Sequence, residues 1–475
     1  MDQSVKNIAF APASELRELI ATKQVSPVEV TELYYERIEK LDPNLNAYLT
    51  LTNDEAMQSA RAAEDAVMRG DKLGPLHGVP IAIKDLEMTK GVRSTGGSLI
   101  YKNRVPDEDS IVVERVKKSG AIILGKTNTP EFGLLGETRN RLGDHCRNPW
   151  HTERTSGGSS GGSGAAIIAG LCSVATGSDG GGSIRIPASF CGIYGIKPTQ
   201  GRVPRYAGAG APALANITSQ SGPMSRTVLD SAILLQVLAG YDPRDQTSLR
   251  ESPPDFVSAV RRDITGLKIG WTSDFGYAAV DSEVVDVAAK AAQIFEELGC
   301  TVEDANFQLK SPFDAFWTIF NTGAYAANAA LLQSHAGDLT DYGRLCIEYG
   351  ASVTGAEYAR ALGQVDLLKQ YFDDKLDEYD LILSPTMAVP AFPVGESPRE
   401  IDGKEVDHLW GYLPFTYPIN LIGHTAASIP AGFSSDGMPI GLHIIGRKGG
   451  EETVIAASAT FEQAQPWINH RPAVS

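Results

Sequence analysis

Two glycine–serine clusters set close together constrain this chain more than any other feature. The first runs from Ser156 through Gly157-Gly-Ser-Ser-Gly-Gly-Ser to Gly164, and the second is Gly180-Gly-Gly-Ser183. Between them lie a small apolar run, Ala165 to Gly170, and then Leu-Cys-Ser-Val-Ala-Thr-Gly, enough chain for one helix and one strand. A free-standing Gly/Ser tract is a flexible linker, but linkers do not come in matched pairs around a segment apolar enough to be buried. The layout instead lets two loops meet at one end of a packed layer. Glycines there expose backbone N–H groups that can cradle a phosphate or hold an oxyanion. A nucleophile decides between the two, and Ser183 directly follows three glycines.

Helix and strand signals alternate on both sides of this centre. Ser26-Pro-Val-Glu29 is a capping box with proline at the first helical position, opening a helix that stops before Pro43. Residues 13–22 and 54–69 are further helices. Gly78 to Lys84 reads as a buried strand, Asp109 to Ser119 as a helix and Ala121 to Leu124 as a strand. Beyond the centre the pattern predicts helices over 228–239, 282–298 and 451–464, and strands over 266–271, 300–303, 381–383, 427–429 and 439–445. Gly195-Ile-Lys-Pro and Gly201-Arg-Val-Pro read as turns, and Gly222-Pro223-Met-Ser-Arg-Thr as the lead into the 228–239 helix. Residues 311–375 are helix-rich, and their aromatics Phe313, Phe316, Trp317, Phe320 and Tyr325 have the spacing of core packing. Strand–helix–strand alternation implies α/β architecture. The expectation is one large domain over 1–475 with a mixed, mostly parallel sheet and helices on both faces. Within it, 1–75 holds N-terminal helices, 76–240 the core, 311–375 a helical elaboration and 376–475 a return to the sheet.

With 58 acidic against 42 basic residues, the net charge of −16 argues against nucleic acid or an anionic membrane as a partner. Five cysteines, an odd number with no Cys-x-x-Cys, read as free, buried thiols in a reducing compartment. The N-terminus shows no apolar signal core, and no run approaches 18 uninterrupted apolar residues. The expected location is cytoplasmic. Gly120-Ala-Ile-Ile-Leu-Gly-Lys126-Thr127 matches the phosphate-loop pattern letter for letter. Its variable positions favour a strand, however, and Pro130 follows where a helix should continue.

A serine hydroxyl needs a base. Gly157-Gly-Ser-Ser-Gly161 fits a nucleophile elbow, with His424 and His443 downstream as histidine bases, but the polar stretch 148–156 offers no strand to carry one. Lys84 is the other candidate. It ends an almost wholly apolar strand, where desolvation disfavours its charge and lets it accept a proton.

These residues resemble the amidase signature hydrolases. The motifs are Gly78-Val-Pro-Ile-Ala-Ile-Lys-Asp, Gly125-Lys-Thr-Asn-Thr-Pro-Glu-Phe, Asn148-Pro-Trp, Gly157-Gly-Ser-Ser-Gly-Gly-Ser, Gly181-Gly-Ser-Ile-Arg-Ile-Pro-Ala, Phe190-Cys-Gly, Gly195-Ile-Lys-Pro-Thr, Ile429-Pro-Ala-Gly and Gly437-Met-Pro-Ile-Gly-Leu, in that order along nearly the whole chain. The resemblance implies a Ser–cis-Ser–Lys triad: Ser183 as nucleophile, Ser159 as bridge after a cis peptide from Gly158, and Lys84 as base. The amides of Gly180, Gly181, Gly182 and Ser183 would hold the oxyanion, with Ser160, Asp179 and Arg185 in support. No metal or organic cofactor is implied. Among branches of the family, stand-alone amidases act on small aryl or alkyl amides, some on carbamates or nylon oligomers. The glutaminase component of an amidotransferase typically carries glutamine where this chain has Ile186. Leu134, Leu135, Ile184, Ile186, Phe415 and Ile422 are the expected walls of an apolar pocket. The expected partner is a small-molecule amide or carbamate substrate, the expected assembly a monomer or homodimer.

Overall fold

The computed structural model describes residues 8–206 and 217–475. Its spine is one eleven-stranded sheet. In chain order the strands are β1 (Tyr48–Leu51), β2 (Pro80–Lys84), β3 (Ile122–Thr127), β4 (Val174–Asp179), β5 (Tyr194–Lys197), β6 (Gln220–Ser225), β7 (Lys268–Trp271), β8 (Thr301–Asp304), β9 (Leu381–Pro385), β10 (Ala426–Phe433) and β11 (Pro439–Ile445). Across the sheet they run β1-β3-β2-β4-β6-β5-β10-β11-β9-β7-β8.

Side chains alternate across a strand, and this separates two cores. Leu381 and Leu383 join a cluster with the N-terminal helices, among them Leu16, Val30 and Ile38. Ile382, between them, joins the opposite cluster, built from aromatics of the helices Phe313–Ser334 and Gly355–Glu378. Helices thus cover both faces. The capping box forms as read: Ser26 caps the helix Pro27–Leu41 and Glu29 reaches back to its N–H. The helices Ala13–Ala21, Asn53–Arg69, Ser282–Glu297 and Glu451–Ala464 lie where periodicity placed them. All five cysteines are free and buried.

The expectation of a mostly parallel sheet is overturned. Four pairings are parallel (β2–β3, β2–β4, β7–β8, β7–β9) and six are antiparallel (β1–β3, β4–β6, β5–β6, β5–β10, β10–β11, β9–β11). The reason lies in β5, whose Gly195-Ile-Lys-Pro reads as a turn, and in β6, whose Gly222-Pro223 reads as the lead into a helix. Both are fully buried strands, and inserted side by side between β4 and β10 they reverse the direction of the sheet's centre. Their glycines serve packing. A Cβ on Gly177 (β4), Gly222 (β6) or Gly195 (β5) would lie 2.8, 3.0 or 2.8 Å from the Ile184 side chain. Three adjacent strands are paved with glycine so that the residue after Ser183 can lie flat on the sheet.

Candidate active site

Lys84 ends β2 with its side chain fully buried. Its Nζ stands 2.7 Å from Ser159 Oγ, 3.0 Å from Ser178 Oγ and 3.2 Å from the Ser178 carbonyl. Among the described residues no carboxylate touches it. Burial pushes its pKa down from 10.5 to about 7, against the pull of the Asp179 and Glu87 charges. An amine of that kind is neutral in half its copies near pH 7 and can take a proton from a hydroxyl.

The first glycine–serine cluster carries Ser159 on a loop before the helix Gly161–Ile168, and the Gly158–Ser159 peptide is cis. Residues 136–138 support this arm from behind. A Cβ on Gly158 would meet the Glu137 backbone at 2.8 Å. Thr138 Oγ1 donates to the Gly157 carbonyl at 2.8 Å and accepts from the Gly161 N–H at 3.2 Å. Gly133 closes the other side: a Cβ there would lie 3.2 Å from Ser159 Oγ, and its φ of +74° is itself a glycine conformation.

The second cluster follows β4. Here Asp179 works as a buried template, accepting from the Gly182 N–H (2.7 Å), the Ile184 N–H (3.2 Å) and Arg185 (2.9 Å from each of two nitrogens). Burial alone would raise its pKa, but the Arg185 charge and hydrogen bonds hold it well below the usual carboxylate range. Ser160 ties the two arms, donating its N–H to the Ser183 carbonyl at 3.2 Å, while its hydroxyl lies between the Ser178 carbonyl (3.4 Å) and N–H (3.3 Å). Ser159 and Ser183 keep 2% and 7% of their surface, so both are almost wholly enclosed by protein.

The histidines go elsewhere. His443 accepts from Arg185 at 3.0 Å and faces Ser384 at 3.5 Å; burial and the adjacent guanidinium keep it neutral. His424 faces Asp373 and the Ile422 carbonyl. The stretch 148–156 does contain a strand, His151–Thr155, but it pairs with Arg147–Asn148 and bridges to Pro393 through Arg154, outside the main sheet.

The six expected pocket residues are all buried but separate into three groups. Leu134 and Leu135 pack with Ala324, Tyr342 and Cys346. Ile184 faces the sheet. Ile186, Phe415 and Ile422 share the aromatic cluster, and Ile186 touches both arms, 3.1 Å from a Cβ placed on Gly157 and 2.9 Å from one on Gly182. The rings nearest the second arm are not among the expected walls. Phe316 and Trp410 lie 2.9 and 3.0 Å from a Cβ on Gly181, and Phe320 lies 3.4 Å from one on Gly180. These rings contact one another at centroid distances of 5.0–5.2 Å. The i, i+4 spacing of Phe316 and Phe320 is the available signal in the sequence, but it is equally that of core packing.

Residues 29–455 match the amidase family model. The chain belongs to the amidase family. The acylamidase of Rhodococcus erythropolis is 35% identical over 474 residues, covering 99% of this chain and 98% of that protein. A glutamyl-tRNA(Gln) amidotransferase subunit from Moorella thermoacetica is 39% identical, covering 98% of each. Among solved structures, a bacterial aryl acylamidase of the amidase signature family superposes with a TM-score of 0.90 at 36% identity, over 96% of this chain and 97% of that one. A 6-aminohexanoate cyclic dimer hydrolase gives 0.88 at 29%, over 98% and 99%. The corresponding amidotransferase subunit from Thermotoga maritima gives 0.73 at 31%, over 93% and 92%. This amidase is thus an amidase signature hydrolase acting on amide C–N bonds. Among its described residues no helix is long and apolar enough to cross a membrane.

Proposed function

We propose that this amidase cleaves small apolar amides, anilides and alkyl amides, and also carbamates and esters, through a Ser183–Ser159–Lys84 relay. The observation that carries the reading is the buried, carboxylate-free Lys84 amine 2.7 Å from Ser159 Oγ. In the proposed cycle neutral Lys84 takes the Ser159 proton as Ser159 takes that of Ser183. Ser183 Oγ adds to the carbonyl carbon, and the carbonyl electrons move onto an oxyanion held by backbone N–H groups. When the tetrahedral intermediate collapses the C–N bond breaks, and the proton returns from Lys84 through Ser159 to the leaving nitrogen. Water then opens the acyl-enzyme by the same relay. A carbamate carbonyl admits the same attack. The apolar Ile186 between the arms and the rings of Phe316, Phe320 and Trp410 beside them favour an apolar substrate.

Glutamine is the second reading, supported by the 39% identity to the Moorella amidotransferase component. Ile186 and the lower superposition on its Thermotoga counterpart speak for the amidase reading. The purified chain assayed with a chromogenic anilide, a carbamate and glutamine separates them. Anilide turnover that disappears in Ser183→Ala is expected; turnover of glutamine alone, and only with a second protein, reverses the choice.

A further inference from the structure

The peptide unit joining Gly181 to Gly182 is held at both ends. Its carbonyl accepts from Thr416 Oγ1 at 2.7 Å, and its N–H donates to Asp179 Oδ1 at 2.7 Å. In a trans peptide these groups point in opposite directions, so Thr416 and Asp179 fix the plane between them. The fit is close: a Cβ on Gly182, at φ +129°, would lie 2.3 Å from Thr416 Oγ1. Four residues on, Asn420 steadies the same carboxylate. Its Nδ2 lies 2.9 Å from both Asp179 Oδ1 and the Asp179 carbonyl and 3.0 Å from the Thr218 carbonyl, while its Oδ1 accepts from Arg185 at 2.6 Å. Arg185 returns a bond to the Thr416 carbonyl at 3.0 Å. Thr416 and Asn420 are both buried, and they belong to the one short helix, Tyr417–Ile422, and its cap.

We infer that Thr416 and Asn420 are positioning residues that lock the Gly181–Gly182 plane, so that the flanking N–H groups of Gly181 and Ser183, rather than that of Gly182, receive the oxyanion. The Gly182 N–H is spent on Asp179, whereas among the described residues those of Gly181 and Ser183 meet no protein acceptor. Freed from Thr416, the plane can rotate, and the flanking amides turn away from the charge that develops only in the transition state.

The inference rests on Ser183 as the nucleophile, and the test keeps the two apart. Thr416→Val removes the donor at constant shape; Thr416→Ser restores it. With an anilide substrate, T416V is expected to lose about 10- to 100-fold in kcat with KM within about threefold, and T416S to stay within about threefold of the parent. T416V should also weaken binding of a trifluoromethyl ketone, which forms an oxyanion adduct, while leaving affinity for the corresponding unreactive alcohol unchanged. Should T416V not fold, Thr416→Ala set against T416S provides the same comparison. Unchanged kcat, a loss carried wholly by KM, or a T416S as impaired as T416V overturns the inference. Labelling the parent with a fluorophosphonate and mapping the adduct tests the nucleophile separately. An adduct anywhere but Ser183 removes the reading and the inference together, whereas an adduct on Ser183 with an unimpaired T416V removes the inference alone.

Discussion

Lys84 and Lys126 sit at the ends of neighbouring parallel strands, Ile83 opposite Lys126 and Lys84 opposite Thr127, and both are fully buried. Their surroundings differ in one respect. Lys126 pairs with Asp85 at 3.4 Å, donates to Ser94 Oγ at 2.9 Å and to the Glu87 carbonyl, and so fastens the loop that follows Lys84. Lys84 meets only hydroxyls and a carbonyl. A contacting carboxylate stabilises the ammonium form and makes a buried lysine a structural cation; neutral partners let desolvation drive it toward the amine, which can do proton chemistry. The lysine of the phosphate-loop pattern is therefore the one paired with a carboxylate, and the lysine outside that pattern is the one we propose as the base.

Replacing each by methionine breaks this comparison most severely if it is wrong. Lys84→Met is expected to lower kcat by at least about 10³-fold while the protein stays folded. Lys126→Met should retain measurable turnover but lose about 3–5 kcal/mol of stability, because Asp85 is left buried without its cation. Steady-state kinetics beside urea unfolding reads both, and equal loss of activity in the two variants would erase the distinction.

Stability sharpens the contrast through its sign. The folded pKa of Lys84, about 7, lies below its unfolded value of 10.5. Between those pH values the unfolded chain binds more protons, so stability rises with pH across the window and the cost of burying this charge is greatest at and below neutrality. Lys84→Met should then be the more stable protein at pH 6–7, on the order of 2 kcal/mol, with the gain shrinking toward pH 10. Urea midpoints measured across that range would show a constant gap instead if Lys84 were an ordinary cation.

What the sequence discloses of this site follows the distance over which each residue's role is set. Lys84, Ser159 and Ser183 stand out because their immediate neighbours are unusual: an apolar strand ending in a lysine, and serines following glycines. The helices are legible for the same local reason. Strands β5 and β6 are not, because Gly195 and Gly222 are glycine on account of Ile184, which reaches them only after the chain has folded over the sheet. Once β5 is taken for a turn and β6 for the approach to a helix, the parallel sheet follows as an error. The aromatic wall and the Thr416–Asn420 clamp are hidden likewise, each joining segments more than a hundred residues apart.

The pH profile offers a milder test of the same lysine. If Lys84 is the base, kcat/KM rises from the acid side, reaches half its maximum near pH 7 and levels off above, since the neutral amine is the active form. A profile flat from pH 6 to 9 would mean the base titrates elsewhere.

The smallest expected effect concerns Glu87, which lies three residues beyond Lys84. Its charge raises the Lys84 pKa without touching the amine, and its carboxylate oxygens are occupied by Ser110 at 2.6 Å and Ser221 at 2.9 Å. Glu87→Gln removes the charge at nearly constant shape. Neutral Lys84 then becomes easier to reach, so the acid limb should move to lower pH by a few tenths of a unit while the alkaline plateau stays within about twofold. Lys126 also feels Glu87, and burial pushes its pKa down against the opposing Asp85 charge, so it shares the direction of the shift but keeps a carboxylate partner. A limb that moves to higher pH would show that the shift arises from altered packing, because removing a negative charge from the neighbourhood of an ammonium cannot raise its pKa.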